Sequence, residues 1–387
     1  MTTKTLTRLF RDERGMSYVF VGVGFMAFLA CTTLAIDVGM FMTARSQAQN
    51  SADAGALAGA VALFRDDYNN RSASGPAVQS AIAAAHENDV ISADVSVLPG
   101  DVTFPLSPAG LDNRVRVHVY RTGPRSNAVP TLMGKIFGVS QVNIEAVATA
   151  EVSPANAMTC VKPFTIPDKW IEKQDPGGWD PMNSTFDVVD NKKEPLSNPD
   201  IYIGSDDKEN YTGYNAERDK GMRLMIRAGT GSNIYPSFYF SYAIGEVSGG
   251  DEYRDNIANC NTTVMGFGDL LMQEPGDMVG PTIQGVEDLI AKDPSAYWNE
   301  DDNGVHSSQY PSPRVAIIPV YDPVYYDTGK QNGRNADLKV ANYIGFFIES
   351  ISGNNVYGRI TPVSGLIKGN GGPSPAGAFP KAIRLVE

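Results

Sequence analysis

The strongest hydrophobic signal lies near the start of the chain. From Met16 to Ile36 the sequence reads MSYVFVGVGFMAFLACTTLAI, with no charged residue. As a helix this run is roughly 30 Å long, about one bilayer hydrocarbon core. Arg14 closes it on one side and Asp37 on the other, and no second run of this kind follows. The pattern predicts one transmembrane helix over 16–36. Two other uses of the segment stay open. A cleaved secretory signal fits the basic residues ahead of it, although the run is long and no A-x-A site follows. A lipoprotein signal would use Cys31, preceded by Phe28, Leu29 and Ala30. In a retained anchor Cys31 is simply a small apolar residue within the bilayer.

The helical pattern continues past the apolar run, through residues 37–64, without proline and with abundant alanine, the strongest helix former. Ala44, Ala48, Ala52, Ala56 and Ala60 recur every four residues, and Asp37, Phe41, Arg45, Gln49 and Asp53 form a second row beside them. Residues four apart share a helix face, so one seam is small and its neighbour mixed polar. Small seams let helix backbones approach closely. Neighbouring subunits could pack along this seam, or the helix could lie on its own domain. Taken as one rod, Met16–Phe64 spans roughly 70 Å. A hydrophobic stem running into a soluble head is the build of a pilin-like subunit.

Residues 65–74 are a polar break. A short helix follows over 76–88, with Pro76 at its start. Alternation predicts strands in ADVSVLP, at 113–122 and at 142–152, and a short apolar helix over 129–138 ended by Gly138. Together these make a small α+β head over 65–155. SPANAM, 153–158, reads as a linker. Beyond it Gly, Pro, Asn, Asp and Tyr become frequent, and strands are expected at 186–190, 201–204, 221–229, 235–244, 314–321, 340–351 and 356–367, with a helix near 279–292. Residues 156–387 therefore read as a β-rich domain ending in a loop or strap over 369–380. The fold class expected is α+β: a long N-terminal helix, a small pilin-like head and a β-rich C-terminal domain.

Composition narrows the function. The 387 residues are 42% hydrophobic and 20% charged, a globular profile, with a formal net charge of −12. An acidic chain argues against nucleic acid as the main partner. The first fifteen residues are the exception, with four cations against two anions, which places the N-terminus in the cytoplasm and the bulk of the chain outside. Cys160 and Cys260 then fall in an exported domain where oxidation is allowed, and a disulfide between them is expected. In the chain-entropy view such a link stabilises by about 4–5 kcal/mol. The three histidines are scattered, and His118 sits among alternating valines as a solvent-side strand residue. No nucleophile elbow, P-loop or zinc-protease motif occurs. The acidic clusters 205–210 and 300–304 could ligate calcium through oxygen, but they lack EF-hand spacing and read better as solvated loops, and the aromatic run at 235–242 reads better as a core strand than as a sugar platform. No catalytic residue, cofactor or metal site is expected.

The stretch from RDERG through the apolar run to AIDVGMFMTARSQAQNSADAGALAGAVAL resembles the N-terminus of TadE/TadG-like Flp (Tad) pilus-assembly proteins of bacteria. Gly15 matches the family's glycine before the run, Asp37 and Gly39 its Asp and Gly after it, and Gln49, Asp53 and Ala56-Leu57-Ala58 its following helix. The likeness is specific over residues 8–64 and looser to about 152. Two departures are visible. Phe20 stands where type IV prepilins carry glutamate, and Asp94-Val95-Ser96 lacks the second serine of the von Willebrand metal motif found in many TadG-like proteins. The resemblance implies a single-pass protein of the bacterial inner membrane that assembles pili by association. Its partners would be membrane lipid, other pilus-assembly or pilin-like subunits, and further copies of itself. An anchored adhesin or ligand-binding protein is the alternative. An anchored hydrolase comes third, for want of any triad or metal constellation.

Overall fold

The computed structural model describes residues 16–386 apart from 67–68, 109, 191, 208, 217, 230–232, 246–248, 310, 331–335 and 369–377. The basic segment 1–15, with Gly15, and most of the 369–380 loop therefore lie outside the described residues. The fold is α+β, and the chain divides into two compact units. The first holds residues up to Leu63, Asp67–Glu151 and the last three residues, and the second holds Phe64–Asp66 and Val152–Arg384.

In the first unit one helix, α1 (Met16–Arg65), runs unbroken from the apolar segment into the folded domain. A second, α2 (Pro76–His86), starts on Pro76 as expected, because proline's missing N–H costs nothing in a first turn. Its Ala77, Ala81 and Ala85 repeat every four residues and are buried. The sheet is antiparallel: β1 (Val102–Thr103) pairs with β2 (Arg114–Arg121), which pairs with β5 (Ile144–Pro154) in the register Val117↔Ala148. In β2 the valines at 115, 117 and 119 turn inward, while Arg114, Arg116 and His118 stay partly exposed on the other face. His118 lies flat beside Tyr120, the ring centres 6.3 Å apart.

The segment 129–138 is not the helix that its apolar content suggested. It is a hairpin of β3 (Val129–Pro130) and β4 (Gln141–Val142), capped by a 3-10 turn over Gly134–Phe137. Gly138 closes that turn at φ +83°, a left-handed conformation that glycine adopts without strain. Pro130, which cannot donate within a helix, and the glycines at 134 and 138 leave too few residues for a stable helix.

The second unit is built around a six-stranded barrel. Its strands are β6 (Phe164–Pro167), β7 (Arg223–Ala228), β8 (Phe238–Ser241), β9 (Val315–Tyr321), β10 (Leu338–Ser352) and β11 (Asn355–Thr361). Around the barrel the order is β10-β9-β6-β8-β7-β11, and β11 closes the ring on β10. The β9–β6 and β8–β7 pairs are parallel and the others antiparallel. Alternation sorts the side chains into two cores. Ile318, Ile344, Phe346 and Ile360 belong to one, which also takes Tyr253 and Ile257 of α3 (Gly250–Ala258) and Val286 and Leu289 of α4 (Val279–Lys292). Tyr321 and Tyr343 belong to the other, with Trp170 and Phe240.

The expected strands at 186–190 and 201–204 form only isolated bridges, at Val189↔Pro195 and Ile171↔Ile201. Here a side chain replaces a ladder: the Asp200 carboxylate accepts the Asp187 and Lys173 amides, both at 2.7 Å. The two ends of the unit's first hundred residues are fastened by the Cys160–Cys260 disulfide.

Barrel closure depends on two glycines. A Cβ at Gly358 would lie 2.3 Å from the Phe347 carbonyl oxygen and 2.6 Å from the Phe346 ring, and one at Gly345 would meet Thr361 oxygen at 2.4 Å. Gly358→Val is expected to destabilise the second unit by on the order of 3 kcal/mol. Tryptophan fluorescence checks this on thermal unfolding, because Trp170, Trp179 and Trp298 all lie in that unit.

Candidate functional site

The chemistry of this chain is concentrated where α1 leaves its apolar run. From Ser17 to Ile36 the helix is bare: Tyr18, Phe20, Val23, Met26, Phe28 and Leu34 are 62–82% exposed and point to all sides. A helix apolar all round is suited to a membrane span or to a fully covered position in protein. It is long and apolar enough to cross a membrane. Its two threonine hydroxyls are satisfied internally, Thr32 donating to the Phe28 carbonyl at 2.7 Å and Thr33 to the Ala30 carbonyl at 2.9 Å. That is what a bilayer core requires of polar groups.

Asp37 ends the bare stretch and is itself buried. Its carboxylate accepts a fan of backbone amides from the hairpin turn: Leu132 at 3.0 Å, Met133 at 3.1 and 3.2 Å, and Gly134 at 2.6 Å. Successive amides turned toward one anion form a nest, and the charge strengthens each bond. Gly134 is needed there, since a Cβ would come within 2.9 Å of the Val139 carbonyl oxygen.

Further along, the helix meets its own domain in sequence order. Gln47 accepts the Ile91 amide at 2.8 Å. Gln49 donates to Asp53 at 2.8 Å and to the Val147 carbonyl at 3.1 Å. Ser51 donates to the Ala85 carbonyl at 2.8 Å. At Gly55 and Gly59 the backbones nearly touch: an added Cβ would lie 2.9 Å from the Ala81 carbonyl oxygen at the first and 3.0 Å from the Ala81 methyl at the second.

The Ala44, Ala48, Ala52, Ala56 and Ala60 row takes the second of its two expected packings, against its own domain. Every one of these alanines is at most 1% exposed within the isolated chain, so the row is the inner face of the first unit and offers nothing to a neighbouring subunit. Its small side chains let α2 and the sheet close over the helix. The Asp37, Gln49 and Asp53 row is spent on hydrogen bonds within the same unit, while Gly39 is exposed with open space around it. The sequence reading missed the 132–134 turn as the partner of Asp37. It also missed Gly55 and Gly59, whose spacing of four repeats the alanine step and could have marked a close crossing.

Elsewhere the acidic groups are engaged by their own chain. Asp207 accepts the Glu209 and Asn210 amides, Glu300 pairs with Arg359, and Asp302 with His306. Among the described residues no group of three or more His, Cys, Asp or Glu side chains could hold a metal ion. Tyr239, Phe240 and Tyr242 are core residues of the barrel unit, not an open aromatic platform. Asp168 is the most enclosed carboxylate described. Tyr211 and Tyr202 hydroxyls donate to it at 2.5 and 3.1 Å, and the Tyr214 and Lys169 amides at 2.9 Å each. Its oxygens are saturated from within, so it braces the barrel wall and has no reach to a ligand.

Two outcomes follow from this geometry. Burial pushes the Asp168 carboxyl up to about 6, against the pull of its four donors. A carboxyl raised in the folded state favours folding while protonated, so its contribution is full below about pH 4 and is lost as pH rises through about 6. Relative to Asp168→Asn, the wild-type melting temperature should fall across that window in fluorescence melts. Asp37→Ala should release the hairpin turn, costing about 1–3 kcal/mol locally, and hydrogen exchange of the 132–134 amides should accelerate accordingly. Asp37→Asn, which keeps an acceptor oxygen, should fall between. Comparison with known proteins agrees with this layout. Residues 15–62 match the family described as Flp pilus-assembly TadE/G-like, and residues 42–150 match the Tad-like Flp pilus-assembly family. No curated protein and no solved structure is detectably similar to the chain. Together the two Tad family matches cover residues 15–150.

Proposed function

We propose that this chain is a TadG-like scaffolding protein of Flp pilus assembly, held by one span in the bacterial inner membrane with its N-terminus in the cytoplasm. One observation carries the reading: α1 is a single helix that is bare and apolar over Ser17–Ile36 and then becomes the buried core helix of a Tad-family domain. Anchor and domain share one rigid element, so the first unit is fixed at the membrane surface and not hung from a flexible leash. The basic residues 1–15 support the orientation. The disulfide supports an oxidising compartment for the second unit.

On this reading residues 65–155 complete the anchor-proximal domain, and 156–387 form the exported domain that meets pilus components or further copies of the chain. Function is by association, without catalysis, cofactor or nucleic acid. Cys31, exposed on the span, faces lipid. The surface-adhesin alternative uses the same anchor.

Deletion of the gene tests the assignment. Loss of pili in electron micrographs, restored by the full chain but not by a chain whose span is replaced with a cleavable secretion signal, is the expected result. Normal piliation with lost surface attachment overturns it in favour of the adhesin.

A further inference from the structure

The hairpin turn tied to Asp37 has an unusual surface. Leu132, Ile136, Phe137 and Val139 are 61, 74, 64 and 49% exposed, and Met133 is exposed beside them. In water an apolar cluster of this kind is costly and marks a contact surface. Its position identifies the partner. The turn is hydrogen-bonded to Asp37, the residue directly after the apolar span. The other contacts of α1 with its domain come in order away from the membrane: Gln47 with Ile91, Gln49 with Val147, Ser51 with Ala85, and Gly59 with Val115. Among these contacts the turn is the one nearest the bilayer, where the helix enters the headgroups.

Its backbone is also prepared for lipid. The Ile136 amide donates to the Met133 carbonyl at 3.0 Å, Gly138 to Lys135 at 3.2 Å, and Val139 to Gly134 at 3.0 Å, while the Thr131 hydroxyl donates to the Val139 carbonyl at 2.6 Å. Together with the three amides on Asp37, few donors of the turn are left for water to serve, as a low-dielectric setting demands. Lys135, exposed in the middle of the turn, can reach up to lipid phosphates while the flanking side chains sink.

We propose that residues 132–139 form a membrane-seated foot, inserting Leu132, Ile136 and Phe137 into the bilayer interface on the same side as the first unit. The foot rests on the reading of α1 as a membrane span. With Asp37 as the clamp, one chain then touches lipid at two points, the span and the foot. This fixes both the tilt and the rotation of the first unit on the membrane, which a lone helix leaves free.

The test uses the full chain carrying Cys31→Ser, its Cys160–Cys260 disulfide intact, reconstituted in phosphatidylethanolamine–phosphatidylglycerol vesicles. Nitroxide labels are placed singly at Ile136→Cys, at Phe137→Cys, at Val23→Cys within the span, and at Leu106→Cys, an exposed apolar residue of the same unit outside the turn. Collision with oxygen reports lipid, and collision with a water-soluble nickel chelate reports solvent. The expected result is an oxygen-to-nickel ratio at 136 and 137 several-fold above that at 106 and below that at 23. A label at 136 and 137 open to nickel, or shielded from both agents because protein covers the turn, overturns the foot while leaving the span intact. A label at 23 open to nickel removes the span itself, and the foot with it.

Discussion

The structure depends on one helix having to satisfy two solvents. Over Ser17–Ile36 α1 is apolar and largely uncovered, the pattern of a helix suited to cross a membrane. From Ala44 onward one face is made of alanine, serine and glycine and is sealed by α2 and the sheet. The change of environment occurs within two turns, and Asp37 sits at that boundary. A buried carboxylate needs compensation, and the amide nest of 132–134 provides it. The same bonds hold an apolar turn where the helix emerges. The apolar segment, the core of the first unit and the position of the turn are therefore tied to a single packed rod.

The second unit solves a different problem. Its six strands close a barrel, so the strand edges that would otherwise invite pairing with other chains are used up within the ring. Closure needs backbone approach at Gly345 and Gly358, and the remaining space is filled by aromatic and branched side chains. Two of its most enclosed charged groups are paired by neighbours of the same chain. Asp168 takes four donors, and Arg314 gives its guanidinium to the carbonyls of Ala296, Ile348 and Glu349. Such saturation favours rigidity over chemistry, in keeping with a part that presents a surface.

How legible this was varied with the range of the interaction. The span, the continuity of α1, the start of α2 at Pro76, the alternation of β2 and the helix over 279–292 all follow from spacing within one element. The hairpin at 129–142 was misread because Leu, Met, Ile and Phe in a short run satisfy a helix as well as a turn. Only Pro130 and the glycines argued otherwise. Short buried strands such as Phe164–Pro167 carry no alternation to detect, since both faces are covered. The segments at 186–190 and 201–204 have strand-like composition yet lack a ladder, because the Asp200 carboxylate supplies what a neighbouring strand would.

The alanine row shows the boundary most clearly. Its step of four established that a close contact would form along α1, because small side chains at that interval permit backbones to meet. Whether the contact would be with another chain or with its own domain was a matter of where α2 and the strands returned, a long-range question that local spacing does not encode. The sequence alone determined the apolar rod, the acidic body and the pair of cysteines beyond it, since each is written in composition or periodicity. Tertiary structure decided what the alanines face, which amides Asp37 receives and which apolar side chains of the turn are left bare, because these depend on residues about a hundred positions apart being brought to one place.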